Sequence, residues 1–295
     1  MTFRGPDDFA RPCVSSITSS GHRIALLTAD GVRVEAAYEP RAGSRIPPPD
    51  TPAVVLAHGF TGALDRPGLR RAARVFAQRA AVITFSFRGH GGSGGHSSVG
   101  DREVLDLAAA VRWARSLGHE RVATVGFSMG GSVALRHAAL YGPERTGERS
   151  GAWSREHREH GGRTDAHADT VVAVSAPARW YYRGTAPMRR LHWAISRPAG
   201  RLIARYGLGT RVQAEDWDPV PLSPVEAVPM IAPRPLLIVH GDRDAYFPLD
   251  HPYALAGAGD PRSTELWIER GFGHAENAAG DPLLERIAHW VCTRD

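Results

Sequence analysis

The chain reads as an α/β protein, with a mostly parallel central sheet and helices on both faces. Three observations point there. Short, continuous apolar runs recur at Ala53–Ala57, Ala81–Phe85, Val122–Val125, Thr170–Val174 and Pro235–His240. Such runs suit strands that are covered on both sides. Segments of helical period stand between several of them. The polar and glycine-rich motifs lie just past the ends of such runs, which is where open parallel sheets bind their ligands.

Taken in order, residues 1–20 show no clear period and read as a lead-in. His22–Thr28 and Val32–Tyr38 are expected to pair as antiparallel strands around Asp30-Gly31, a strong hairpin signal. Residues 41–52 are rich in Pro and Gly and read as a loop. His58-Gly59-Phe60-Thr61-Gly62 follows the first apolar run. A helix is expected over Pro67–Ala80, with proline in the first turn, where its missing N–H costs nothing. After Phe85, Arg88-Gly-His-Gly-Gly-Ser93 opens a Gly/Ser loop. Asp101–Leu117 is the clearest helix. Val104, Leu107, Ala108, Val111, Ala114 and Leu117 fall on one face, Asp101 suits the N-cap and Gly118 the stop. Thr264–Ile268 is expected as a strand. Asp281–Val291 is expected as a closing helix, with Leu283, Leu284, Ile287 and Trp290 on one face.

Two stretches break the alternation. Residues 143–169 are polar and almost aperiodic, as expected of a mobile surface loop. Its His157, His160, Asp165, His167 and Asp169 fit no ligand spacing, so no metal site is expected. Residues 177–232 are rich in aromatics and arginines and are expected to form a small helical cap insertion. The whole, 1–295, is expected to be a single domain.

Composition narrows the function classes. All 36 basic residues are arginine, and the formal charge is +5. The absence of lysine removes lysine nucleophiles and Schiff-base chemistry. The arginines are spread along the chain without a nucleic-acid motif, so no nucleic-acid partner is expected. No apolar run approaches the roughly 18–20 residues of a membrane span. The first residues lack the apolar core of a signal peptide, and a cytoplasmic location is expected. Cys13 and Cys292 form neither a CxxC nor a zinc spacing, and no disulfide framework is expected.

The chemistry centres on Gly126-Phe127-Ser128-Met129-Gly130, set between an apolar run and an Ala/Leu-rich run. The context is strand, sharp turn, helix. The flanking glycines let strand and helix backbones approach, leaving the Ser128 hydroxyl exposed at a helix N-terminus. A serine hydroxyl needs a base, and a histidine base needs a carboxylate. Gly241-Asp242-Arg243-Asp244 follows one strand, and Gly271-Phe272-Gly273-His274 another. Asp242 is the rival acid and is expected instead to make structural hydrogen bonds in its turn. His58 is expected to orient its loop, and Arg88 and His90 to hold the glycine loop. His96 reads as a loop residue and His289 as a surface or packing residue.

These motifs, with the order Ser128, Asp244, His274, resemble the α/β-hydrolase superfamily in its esterase/lipase-like branch, over residues 22–295. The resemblance implies an α/β-hydrolase fold, with Ser128 as nucleophile, Asp244 as acid and His274 as base. It implies oxyanion donors in the backbone N–H groups of Phe60 and Met129, with His58, Gly59, Gly62, Gly126 and Gly130 in support. The activity implied is cleavage of a carboxylic ester of a small-molecule acyl substrate through an acyl-enzyme, with no metal or organic cofactor. Thioesterase, amidase, peptidase, acyltransferase and cofactor-free haloperoxidase chemistries use the same machinery. A non-enzymatic ligand receptor on this fold is the remaining alternative.

Overall fold

The computed structural model describes residues 22–44, 51–142 and 164–294. The chain opens with the expected hairpin. Strand β1 (His22–Leu27) turns back at Gly31, whose φ of 79° suits glycine, into β2 (Arg33–Glu39). Then come β3 (Ala53–Ala57), β4 (Ala81–Phe85), β5 (Val122–Phe127), β6 (Thr170–Val174), β7 (Leu236–Gly241) and β8 (Thr264–Glu269). They form one eight-stranded sheet in the order β1-β2-β4-β3-β5-β6-β7-β8. The β1–β2 and β2–β4 pairs are antiparallel and every other pair is parallel.

The central strands are apolar on both faces because both faces are covered. Val54, Leu56, Val82, Val125, Val172 and Leu237 pack with helices α1 (Pro67–Phe76) and α9 (Asp281–Thr293). Their neighbours Val55, Ala57, Ile83, Phe85, Val171 and Ala173 point the other way, against α2 (Glu103–Ser116) and α3 (Met129–Leu140). Each fully buried Val, Leu or Phe contributes about 1.5–3 kcal/mol, so this double core is what holds the strand ends in register.

The second helix differs from expectation. It begins at Glu103, and Arg102 rather than Asp101 sits at its N-cap. Residues 103–111 are buried on every side, while Leu117 is exposed. The cause is a polar loop folded over the helix. The Glu103 carboxylate accepts hydrogen bonds from the Ser97 and Ser98 hydroxyls and the Ser98 and Gly100 N–H groups. The Asp106 carboxylate receives the Arg88 guanidinium and the Arg88 N–H. Arg88 also pairs with Asp30, tying the glycine loop to the opening hairpin. Gly118, at φ 92°, ends the helix as expected. Helix α1 stops at Phe76, and the expected last turn to Ala80 continues as looser turns.

The stretch 177–232 carries helices α4 (Ala186–Ser196), α5 (Pro198–Gly207) and α6 (Pro224–Ala227), the last opened by a Ser223/Glu226 capping box. It is stitched to the glycine loop. Thr210 and Val212 pair with His90 and Ser97, and the Trp217 indole N–H donates to the Ser98 carbonyl at 2.7 Å. Helix α7 (Asp250–Ala258) had no counterpart in the sequence reading, because Pro252 and its small residues break any apolar period. Residues 143–163 of the expected mobile loop lie outside the described residues, as do His157, His160 and Cys13. Within 164–169, Asp169 accepts hydrogen bonds from Arg115 and from the Val122 N–H, both at 2.7 Å. Among the described residues no three His, Cys, Asp or Glu side chains gather as a metal site. No described helix is long and apolar enough to cross a membrane.

Candidate active site

The turn between β5 and α3 is as tight as the glycines suggested. Ser128 sits at φ 52°, ψ −115°, a conformation a non-glycine residue adopts only when its surroundings over-determine it. A Cβ on Gly126 would lie 2.1 Å from the Gly130 carbonyl oxygen. One on Gly130 would lie 2.3 Å from the Ala57 carbonyl oxygen. Strand, turn and helix therefore close on one another only where no side chain exists. The Ser128 N–H donates to the Val174 carbonyl at 2.8 Å, which fixes the turn to the neighbouring strand end.

The loops after β7 and β8 bring Asp244 and His274 to the same spot. His274 Nε2 lies 2.9 Å from Ser128 Oγ, and His274 Nδ1 lies 2.7 Å from Asp244 Oδ2. A carboxylate only accepts, so Nδ1–H donates to Asp244 and Nε2 is left to accept the Ser128 hydroxyl proton. The second oxygen, Asp244 Oδ1, accepts the N–H groups of Tyr246 at 2.8 Å and Phe247 at 3.0 Å. Burial opposes ionisation of Asp244, but His274 and these two N–H groups outweigh it and hold the carboxyl below the usual carboxylate range. Tyr246 stacks on the His274 ring at 4.3 Å and Phe247 lies 5.6 Å away, so two aromatics limit how the imidazole turns. Asp242 is elsewhere engaged. Its Oδ1 accepts the Gly271 N–H at 2.6 Å, which ties the two loops together. His289 is exposed on α9 and His96 is exposed in its loop.

Phe60 and Met129 line the same cavity as Ser128, and among the described residues no backbone hydrogen bond donated by either is seen. The orientation of the Phe60 N–H is set by an amide plane. The Gly59 carbonyl and the Phe60 N–H belong to one planar peptide, so fixing the oxygen fixes the hydrogen. Gly59 O accepts His58 Nδ1–H at 2.7 Å and the Gly62 N–H at 2.9 Å. His58 Nε2 in turn accepts the Phe87 N–H at 3.0 Å. Both ring nitrogens of His58 are thus committed to the neutral tautomer. Its burial, and the neighbouring His90, push its pKa down to about 3. His90 donates from Nδ1 to the Arg88 carbonyl at 2.9 Å and packs edge-on to His58 and Phe60.

Glu276 was not singled out from the sequence. It lies on the short helix α8 (Ala275–Ala278), directly after His274. Its buried carboxylate accepts the Gly59 N–H at 3.0 Å. A Cβ on Gly59 would meet Glu276 Oε2 and Ser128 Cβ, each at 3.3 Å. Both polar groups of Gly59 are therefore held, its oxygen by His58 and its N–H by Glu276. Only the glycine-rich character of the His58–Gly62 loop hinted at such close packing.

Above Ser128 lies a cavity of about 320 Å³ between Phe60, Met129 and the inner side of α4. Trp180, Tyr182, Met188, Leu191 and Trp217 give it apolar walls. The Ser132 hydroxyl also lines it, buried and without a hydrogen-bond partner. A larger groove of about 1020 Å³, lined by Arg41, Arg71, Arg74, Arg79, Arg121 and others, contains none of the motif residues.

A strained serine on a strand–helix turn, facing an acid–histidine pair from the next strand ends, can be compared with known folds. A family model described as alpha/beta hydrolase fold matches residues 52–146. The eight-stranded, mostly parallel sheet extends beyond that segment on both sides. The chain is an α/β-hydrolase-fold protein. An esterase of Pyrococcus furiosus is similar over 96% of each chain, with 21% identity and a TM-score of 0.65. The esterase domain of a Rhodothermus marinus protein is similar over 92% of this hydrolase-fold chain and 98% of its own, at 17% identity and a TM-score of 0.59. Est1E of Butyrivibrio proteoclasticus, solved with ferulic acid bound, is similar over 90% and 96%, at 20% identity and a TM-score of 0.52. No curated protein matches the hydrolase-fold chain by sequence.

Proposed function

We propose that the chain is a serine hydrolase that cleaves carboxylic esters through an acyl-enzyme. The observation that carries this is the unbroken relay Ser128 Oγ, His274 Nε2, His274 Nδ1, Asp244 Oδ2, at 2.9 and 2.7 Å. Ser128 Oγ bonds to the ester carbonyl carbon as its proton passes to His274 Nε2. The carbonyl electron pair moves onto oxygen, where the Phe60 and Met129 N–H groups hold it. Asp244 stabilises the imidazolium. On collapse the carbon–alkoxide bond breaks, and the leaving alcohol takes the proton from Nε2–H. Water then attacks the acyl-enzyme, giving its proton to Nε2. Ser128 leaves as the hydroxyl, and the acid is released.

The apolar walls of the cavity favour a small molecule whose acyl group is bulky and apolar or aromatic, and the ferulic acid seen in Est1E is of that kind. The test is turnover of p-nitrophenyl esters of graded chain length, beside an aryl-acyl series, by wild type and Ser128→Ala. The variant is expected to lose on the order of 10⁴-fold or more in kcat while keeping its fold. Near-wild-type turnover by the variant would refute the mechanism.

A further inference from the structure

We infer that the α4–α5 hairpin is a docking surface for an anionic phospholipid bilayer. It is built the wrong way round for a helix pair whose larger apolar residues serve a core. Along α5 the inward positions are Gly200 and Ala204, both buried. A Cβ on Gly200 would lie 2.5 Å from the Ala194 Cα of α4, so the two helices meet through their smallest residues. The large apolar side chains of α5 face outward. Leu202 is 56% exposed, Ile203 58% and Tyr206 78%. These three share one helix face by their spacing. On α4, Trp193 is 51% exposed.

Arginine predominates on the hairpin. Residues 183–214 contain seven arginines and no Asp or Glu, and the first acids after them, Glu215 and Asp216, line the cavity below. Among the described residues Arg183, Arg189, Arg190, Arg197, Arg201 and Arg205 form no ion pair, in contrast to Arg179, which pairs with Asp250. An exposed apolar face flanked by unpaired arginines matches an interfacial helix lying in the headgroup region of an anionic membrane. A nucleic acid would match the charge but leaves Leu202, Ile203 and Tyr206 without a role, and a second copy of this chain would bring arginine to arginine. The same hairpin walls the cavity through Leu191, His192 and Ile195. Docking therefore sets the cavity at the lipid surface.

The full chain is tested by sedimentation with vesicles of phosphatidylcholine alone and of phosphatidylcholine containing phosphatidylglycerol. Wild type is expected to pellet with the anionic vesicles only, and to be released by high salt. Each arginine near an anionic surface contributes roughly five-fold to partitioning, so Arg190→Gln, Arg197→Gln and Arg205→Gln combined should weaken it on the order of a hundred-fold. Leu202→Ser, Ile203→Ser and Tyr206→Ser combined should abolish it. Both variants should hydrolyse a soluble ester at the wild-type rate, which certifies their fold. Ser128→Ala should bind vesicles like wild type, so binding and hydrolysis stand or fall separately. Four results would each overturn the inference. These are no binding, equal binding to both vesicle types, a wild-type dimer that the apolar variant dissociates, and a tighter grip on DNA that the apolar variant keeps.

Discussion

Gly59 shows how single contacts set the chemistry. Its carbonyl is held by a histidine that burial keeps neutral, and its N–H by a buried carboxylate 217 residues away. Removing that carboxylate leaves a buried N–H without a partner and loosens the His58–Gly59 peptide, the neighbour of the amide plane that carries the Phe60 N–H. Losing an oxyanion donor outright costs about 10²–10³-fold in kcat, so Glu276→Ala, which only loosens one, should cost on the order of ten-fold. The loss should fall on kcat with KM little changed, and Glu276→Gln should recover most of it by keeping the acceptor. An unchanged kcat in Glu276→Ala would remove its positioning role. The two aspartates of the β7 loop make a second contrast. Asp244→Asn should cut kcat by roughly 10³–10⁴-fold, because the tautomer of His274 is no longer enforced. Asp242→Asn should cost far less, since it loses one contact to a loop N–H. Steady-state kinetics on one soluble ester decides between them. Ser128, Asp244 and His274 were legible because each sits in a local motif at a strand end. Glu276 was not, because its partner is supplied by the fold.

At the scale of elements, what could be read was what repeats. Both-side-covered strands leave continuous apolar runs, and β3 and β4 were placed to the residue. Helix α2 was found, but not its burial. A one-faced apolar pattern does not foresee a polar loop anchored by Glu103 and Asp106 on the helix's remaining sides. Helix α7 was missed for want of any period. The turn at Ser128 rests on steric exclusion rather than on pattern, and that gives a sharp test. Gly130→Ala would place a methyl 2.3 Å from the Ala57 carbonyl oxygen. The backbones must part, so this one-carbon change should lower stability by about 3 kcal/mol or more, or prevent folding. Gly257→Ala, where no atom lies within 4 Å, is the control and should be neutral or better on thermal melting.

For the whole molecule the two cores leave several imidazoles sealed in apolar surroundings. Burial pushes His58 and His137 down to about 3. In the unfolded chain each titrates near the usual value of about 6.5. Above that value neither state binds these protons and the two groups contribute no pH dependence. As pH falls below 6.5 the unfolded chain takes up protons that the native state refuses, so stability is lost progressively toward pH 3. Between pH 7 and pH 5 the two together should cost on the order of 4 kcal/mol, seen as a falling Tm. His137→Gln should flatten that slope by about half, and a melting temperature independent of pH over this range would contradict the burial argument. Asp244, whose carboxyl His274 and two loop N–H groups hold below the usual carboxylate range, should contribute no loss of activity across the neutral range.

The central claim is that the sheet's strand ends bring three remote residues into one reacting group with Ser128 as its nucleophile. Its most direct test is covalent labelling of the intact chain by a fluorophosphonate, with the modified residue located by mass spectrometry. The geometry predicts a single adduct on Ser128 Oγ, absent in His274→Ala, strongly slowed in Asp244→Asn and retained in Asp242→Asn. No adduct on wild type, or an adduct on any residue other than Ser128, would contradict it.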